Sequence, residues 1–178
     1  MDLRVIPDSS TIFITSSDKE QTSQLIHDIL CVKSHIPHVI IFSKDRPCTP
    51  ELVQQEILER QWKLFSERHE FPDRDRRMIA IFDECFFNDP CMNPLFTMGR
   101  SLAITSLFAL SHIPGIPPSR RHGIDILFIG QQPHEIERKR IYNQFIHTCS
   151  FEEFSKKVDE SKFLVVRFDS IDPIFYSY

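Results

Sequence analysis

Six short, mostly apolar runs punctuate the chain: Thr11 to Thr15, Val39 to Phe42, Met78 to Phe82, Thr105 to Leu110, Ile124 to Ile129 and Phe163 to Phe168. Runs this short and this apolar suit strands whose two faces are both covered. Between them lie segments with helical spacing. Leu25, Ile26, Ile29 and Leu30 mark one. Cys48-Thr49-Pro50-Glu51 supplies cap, first-turn proline and first-turn acid for another, which carries Leu52, Val53, Ile57, Leu58, Trp62 and Phe65 and ends near Arg68. Two more span Glu135 to His147 and Phe151 to Asp159. Strands alternating with helices predict an α/β domain of three layers around a mainly parallel sheet. The 11–15 strand is expected at its centre, flanked by 78–82 and 105–110, with Ile174 to Tyr178 as a possible edge strand.

The 178 residues suit one domain, residues 1–178. No apolar run approaches the roughly 18 residues of a membrane span, and the first thirty residues lack a signal peptide's basic start and apolar run. Neither a membrane span nor secretion by that route is expected. The net charge of -4 argues against a wholly basic, polyanion-binding surface, although a local patch or a ring of subunits would still make one. Five cysteines form no CxxC pair and no zinc-like spacing with the eight histidines, so neither zinc nor disulfides are expected. The first of only four glycines is Gly99, so a glycine-rich loop has no place before it.

Ligands of an open parallel sheet bind beyond the carboxyl ends of the strands, which directs attention to the residues that follow each run. Asp83-Glu84 ends the third run. A strand running into two carboxylates is either a solvated cap or a Walker B element, in which the first acid holds the Mg²⁺ shell and the second polarises water. After the first strand the chain reads Ser16-Ser17-Asp18-Lys19-Glu20-Gln21-Thr22-Ser23. Set against GxxxxGK[ST], Ser16 and Gln21 stand at the glycines, Thr22 at the lysine and Ser23 at the metal-binding hydroxyl. A shift of one residue puts Gln21 at the lysine and Thr22 at the hydroxyl. In neither register does a glycine or a lysine fall where a phosphate cradle needs it. Read locally, the segment is a strand, a loop and a helix capped by Ser, Thr or Asp.

A set of ordered blocks resembles the genome-packaging ATPases of large nucleocytoplasmic DNA viruses, the poxvirus-type branch of the FtsK/HerA group of P-loop proteins. The blocks are ILERQ (57–61), MIAIFDECFFND (78–89), LFTMGRSLAIT (95–105), FALSHIPGIPPSRRHGIDILFI (108–129), ERKRIYNQF (137–145) and the stretch from Ser150 to Tyr178. They span about two thirds of the chain. The resemblance implies a P-loop NTPase-like fold, with Asp83-Glu84 as the Walker B pair and Ser23 and Asp83 as ligands of Mg. It places Met98-Gly99-Arg100-Ser101 at the family's N-G-R-H block and Ser111-His112 at its Ser-Gln sensor, so His112 stands at the sensor glutamine. Pro117, Pro118, Arg120 and Arg121 match its proline-and-arginine loop, where an arginine reaches a neighbour's nucleotide.

The same resemblance implies ATP with Mg, a homo-oligomer or a partner packaging subunit, double-stranded DNA and virion assembly proteins. The setting it implies is the host cell cytoplasm at the viral assembly site, and the virion. The degenerate phosphate loop opens two further readings, an inactive structural or regulatory subunit and an unrelated α/β binding module. Arg120 and Arg121 are alternatively a solvated turn. The clusters Arg138-Lys139-Arg140 and Arg74, Arg76, Arg77 alternate with acids and read as salt-bridged faces more readily than as DNA contacts. Phe86 and Phe87, next to the acidic pair, suggest an interface.

Overall fold

The computed structural model describes residues 2–43, 77–85, 92–168 and 174–178. The expected helix from Cys48 to Arg68, the pair Phe86-Phe87, and Arg74 and Arg76 lie outside the described residues. The described elements are β1 (Thr11–Thr15), α1 (Lys19–Val32), β2 (His38–Ser43), β3 (Met78–Asp83), α2 (Asn93–Met98), β4 (Ile104–Leu110), α3 (Pro118–Arg121), β5 (Ile126–Ile129), α4 (Glu135–Phe145), α5 (Phe151–Glu160), β6 (Leu164–Arg167) and β7 (Ile174–Ser177). The seven strands form one sheet in the order β2-β3-β4-β1-β5-β6-β7. Pairings from β2 through β5 are parallel, and β6 and β7 are antiparallel, which makes the sheet mainly parallel as expected.

β1 is central, but its neighbours are β4 and β5. The expectation that 78–82 flanks it is therefore corrected, because β4 stands between β3 and β1. Apolar content marks a strand as interior without saying which interior strand lies beside it. β2 is corrected too. It forms one end of the sheet, and Val39 and Ile41 are 45% and 53% exposed while Ile40 and Phe42 are buried.

Alternation along the strands divides the core. On one face Phe13, Phe42, Phe82 and Phe108 meet α2, α4 and α5. Phe42 stacks on Phe82 at 5.4 Å, Phe82 on Phe108 at 4.7 Å, and Phe108 on Phe96 at 5.1 Å, so a row of rings runs across β2, β3 and β4. Each such pair adds about 1 kcal/mol beyond area burial. On the other face Ile12, Ile14, Ile79, Ile81 and Leu107 pack with Leu25 and Ile29 of α1. The two layers pin the carboxyl ends of β1, β3 and β4 together, and there the predicted site residues gather.

Candidate functional site

The connection from β1 to α1 consists of Ser16, Ser17 and Asp18 alone. Each is committed to the fold. The Ser16 side chain is 2% exposed, and its Oγ accepts the Asp18 N–H at 3.1 Å. Ser17 donates its N–H and its hydroxyl to the Gln131 carbonyl, both at 2.9 Å. Asp18 is the N-cap of α1, and its carboxylate accepts the Gln21 N–H at 3.0 Å. A Cβ on Gly130 would sit 2.5 Å from Ser16 Oγ, so glycine at 130 permits the close approach of the two strand ends.

Lys19, Glu20 and Gln21, which would belong to an eight-residue phosphate loop, are instead wound into the first turn of α1. Residues 16–23 include no positive φ, whereas the nest of inward N–H groups that binds phosphate needs left-handed positions. Thr22 gives its hydroxyl proton to the Asp18 carbonyl at 2.9 Å and its N–H to the same oxygen at 3.1 Å. Gln21 Oε1 is buried without a hydrogen-bond partner.

Beside this helix start lies a crevice of about 170 Å³. It brings together Ser16, Thr22 and Ser23 with Asp83 and Glu84 from the end of β3, and Lys19 and Ser111 also line it. The predicted carboxylates and hydroxyls thus share one wall-to-wall space although β3 and β1 are not neighbours, because β4 is a single strand wide. Asp83 closes β3, half-buried. Glu84 has φ 55°, donates its N–H to the Ala109 carbonyl at 2.9 Å, and accepts the Ser111 N–H on Oε1 at 2.6 Å.

Other predicted residues are not brought there. His112 is exposed and does not line the crevice. Arg120 corrects the expectation of an arginine reaching out of its own domain. It is 6% exposed, donates from Nε to Asn93 Oδ1 at 2.8 Å, and lies 5.7 Å from the centre of the Phe96 ring. An arginine held by an amide and an aromatic face of its own domain is a packing element. Arg121 is half-buried and donates to the Ile116 carbonyl at 2.7 Å, within its own loop. Of the basic clusters, Arg138 pairs with Asp159 at 2.9 Å, Lys139 with Glu135 at 2.6 Å and Arg140 with Glu137 at 3.0 Å, a salt-bridged face.

Two contacts escaped sequence reasoning. Gln132, 2% exposed, donates to Thr15 Oγ1 at 3.1 Å, and nothing local signals that bond. The Glu84 to Ser111 link depends on strand order, which the sequence does not display.

Mg and ATP, implied by the family resemblance, do not fit this arrangement. The helix start is capped by a carboxylate, the connector has no concave run of N–H groups, and the crevice is smaller than the roughly 300–1,000 Å³ of small-molecule sites. Among the described residues, no group of three or more His, Cys, Asp or Glu is placed to hold a metal ion. Nor is any helix among them long and apolar enough to cross a membrane.

The fold matches that of solved packaging and secretion ATPases. The genome packaging NTPase B204 of Sulfolobus turreted icosahedral virus 2, in complex with ATP-gammaS, superposes with a TM-score of 0.62 at 14% identity, over 99% of this chain and 98% of that one. The DNA-packaging ATPase B204 from Sulfolobus turreted icosahedral virus gives 0.64 at 14% identity, over 96% and 98%. The cytoplasmic domain of the Thermomonospora curvata type VII secretion ATPase EccC gives 0.64 at 10% identity, over 99% of this chain and 26% of that one. No protein-family model matches the chain, and no curated protein sequence matches it.

Proposed function

We propose that the chain is a homologue of viral genome-packaging ATPases that acts in virion assembly with a degenerate nucleotide site, as a non-hydrolysing subunit of the packaging apparatus. The observation that carries this reading is the three-residue connector capped by Asp18. A phosphate at that helix start meets a fixed carboxylate where a P-loop offers N–H groups and a lysine ammonium. The fold neighbours over nearly the full length of both chains support the packaging role, as do the sequence blocks that resemble that family.

In this reading the retained fold supplies shape to an assembly of like or partner subunits on double-stranded DNA. Its place is the viral assembly site in the host cytoplasm, and the finished particle. Arg120 serves its own core, so trans-activation of a neighbour through that residue is not part of the reading.

Calorimetry of the purified chain with Mg-ATP tests it. The expected result is no binding at micromolar nucleotide. Micromolar affinity, or measurable ATP turnover, overturns the proposal by showing that a phosphate cradle forms elsewhere.

A further inference from the structure

Glu84 is tied to the end of β4 through both its main chain and its side chain. The β3 and β4 ladder is parallel with Asp83 opposite Ala109, and its final main-chain bond runs from the Glu84 N–H to the Ala109 carbonyl at 2.9 Å. If β3 ran on, the next rung would send the Ser111 N–H to the carbonyl of residue 84. The chain instead leaves the ladder at Glu84, whose φ of 55° turns it aside. Its Oε1 takes the Ser111 N–H at 2.6 Å.

We propose that Glu84 is a latch whose carboxylate replaces a main-chain carbonyl and carries the ladder one rung past the end of β3, fixing the turn at Ser111-His112. The residue type agrees with this role. A left-handed position is reached most easily by glycine, so a long carboxylate there is explained by what its side chain holds. An ionised acceptor on a main-chain N–H also makes a stronger bond than a carbonyl does. The oxygen nearest Ser111 therefore serves the backbone. This inference goes beyond the proposed function, because it rests on the β3 and β4 register and not on the phosphate loop.

The test is amide hydrogen exchange of Ser111 by NMR in the whole chain, with Phe108 and Ala109 as internal references. Glu84→Gln keeps an acceptor oxygen at the same reach, and Ser111 is expected to stay protected. Glu84→Ala removes it, and exchange at Ser111 is expected to rise about tenfold while Phe108 stays unchanged. Glu84→Asp guards against a variant that fails to fold, since it keeps the charge and suits the left-handed backbone but draws the oxygen back by one bond. Faster exchange at Ser111 in that variant supports the latch. Unchanged exchange at Ser111 in both Glu84→Ala and Glu84→Asp overturns it. Micromolar Mg-ATP binding alone would sink the degenerate-site reading and leave the latch standing.

Discussion

Asp8 at the amino end of the central sheet and Asp18 and Glu84 at its carboxyl end are held in opposite ways. At the amino end, Asp8 receives Lys33 at 2.7 Å, His35 at 3.0 Å and Arg77 at 2.7 Å. One carboxylate thereby joins the segment before β1, the end of α1 and the start of β3. Lys33 is only 4% exposed and also donates to the Ile6 carbonyl, so Asp8 is the anion beside a buried ammonium. At the carboxyl end, Asp18 and Glu84 accept main-chain N–H groups. The first arrangement neutralises buried charge, and the second consumes backbone donors. In a sheet of this class the carboxyl end is where ligands bind, and here two of its donors, the Gln21 and Ser111 N–H groups, are already answered by the chain's own acids.

The sharpest way to break the comparison is Asp8→Ala, which strands the buried Lys33 ammonium. Breaking such a pair costs about 3 kcal/mol, the lower part of the buried range because Asp8 is partly open to solvent. Chemical denaturation is expected to show that loss, and a change below about 1 kcal/mol would mean that Lys33 finds water or another partner.

Acid titration of the wild type probes the same cluster. Burial pushes the Asp8 carboxyl up, but hydrogen bonds from Lys33, His35 and Arg77 outweigh it and hold the group well below the ordinary carboxylate range. Its folded value is below its unfolded one, so its contribution is complete above about pH 4 and is lost as the pH falls toward the folded value. The acid limb of the stability profile is expected to flatten in Asp8→Ala; an unaltered limb would assign acid sensitivity to other carboxylates.

At the other end the expected effects are smaller. Asp18→Ala removes a helix cap and costs about 1 kcal/mol, whereas Asp18→Asn, an equally good cap, costs a few tenths at most. Thermal unfolding of the two variants separates the hydrogen bond from the charge. Equal losses in both would show that the carboxylate acts through the helix dipole, and would bring the two ends of the sheet closer in kind.

The strands and the helices α1, α4 and α5 were legible in the residues because burial of both sheet faces leaves an apolar run and a helix leaves its spacing, whereas the short α2 and α3 left no such signal. Thr11–Thr15, Met78–Asp83 and Glu135–Phe145 all fall where those signals put them. Asp83 beside the β1 to α1 connector was legible as well, since an acid at the end of a parallel strand must face the ligand end of the sheet. The missing glycines and the misplaced lysine were plain in the order of the residues. Their local outcome was legible too, as a helix capped by Ser, Thr or Asp, and the structure selects Asp18 as that cap through its bond to the Gln21 N–H.

Contacts between elements distant in sequence were settled only by the packed molecule. β4 lies between β1 and β3, the Arg120 guanidinium turns to Asn93 and Phe96, and the Glu84 carboxylate finds the Ser111 N–H. Equally apolar strands carry no mark of their neighbour, and an arginine in a proline-rich loop reads the same whether it faces solvent or a ring. Local chemistry sets which backbone each segment prefers, while partners across the fold are chosen by which faces must be buried together and which polar groups are then left to satisfy.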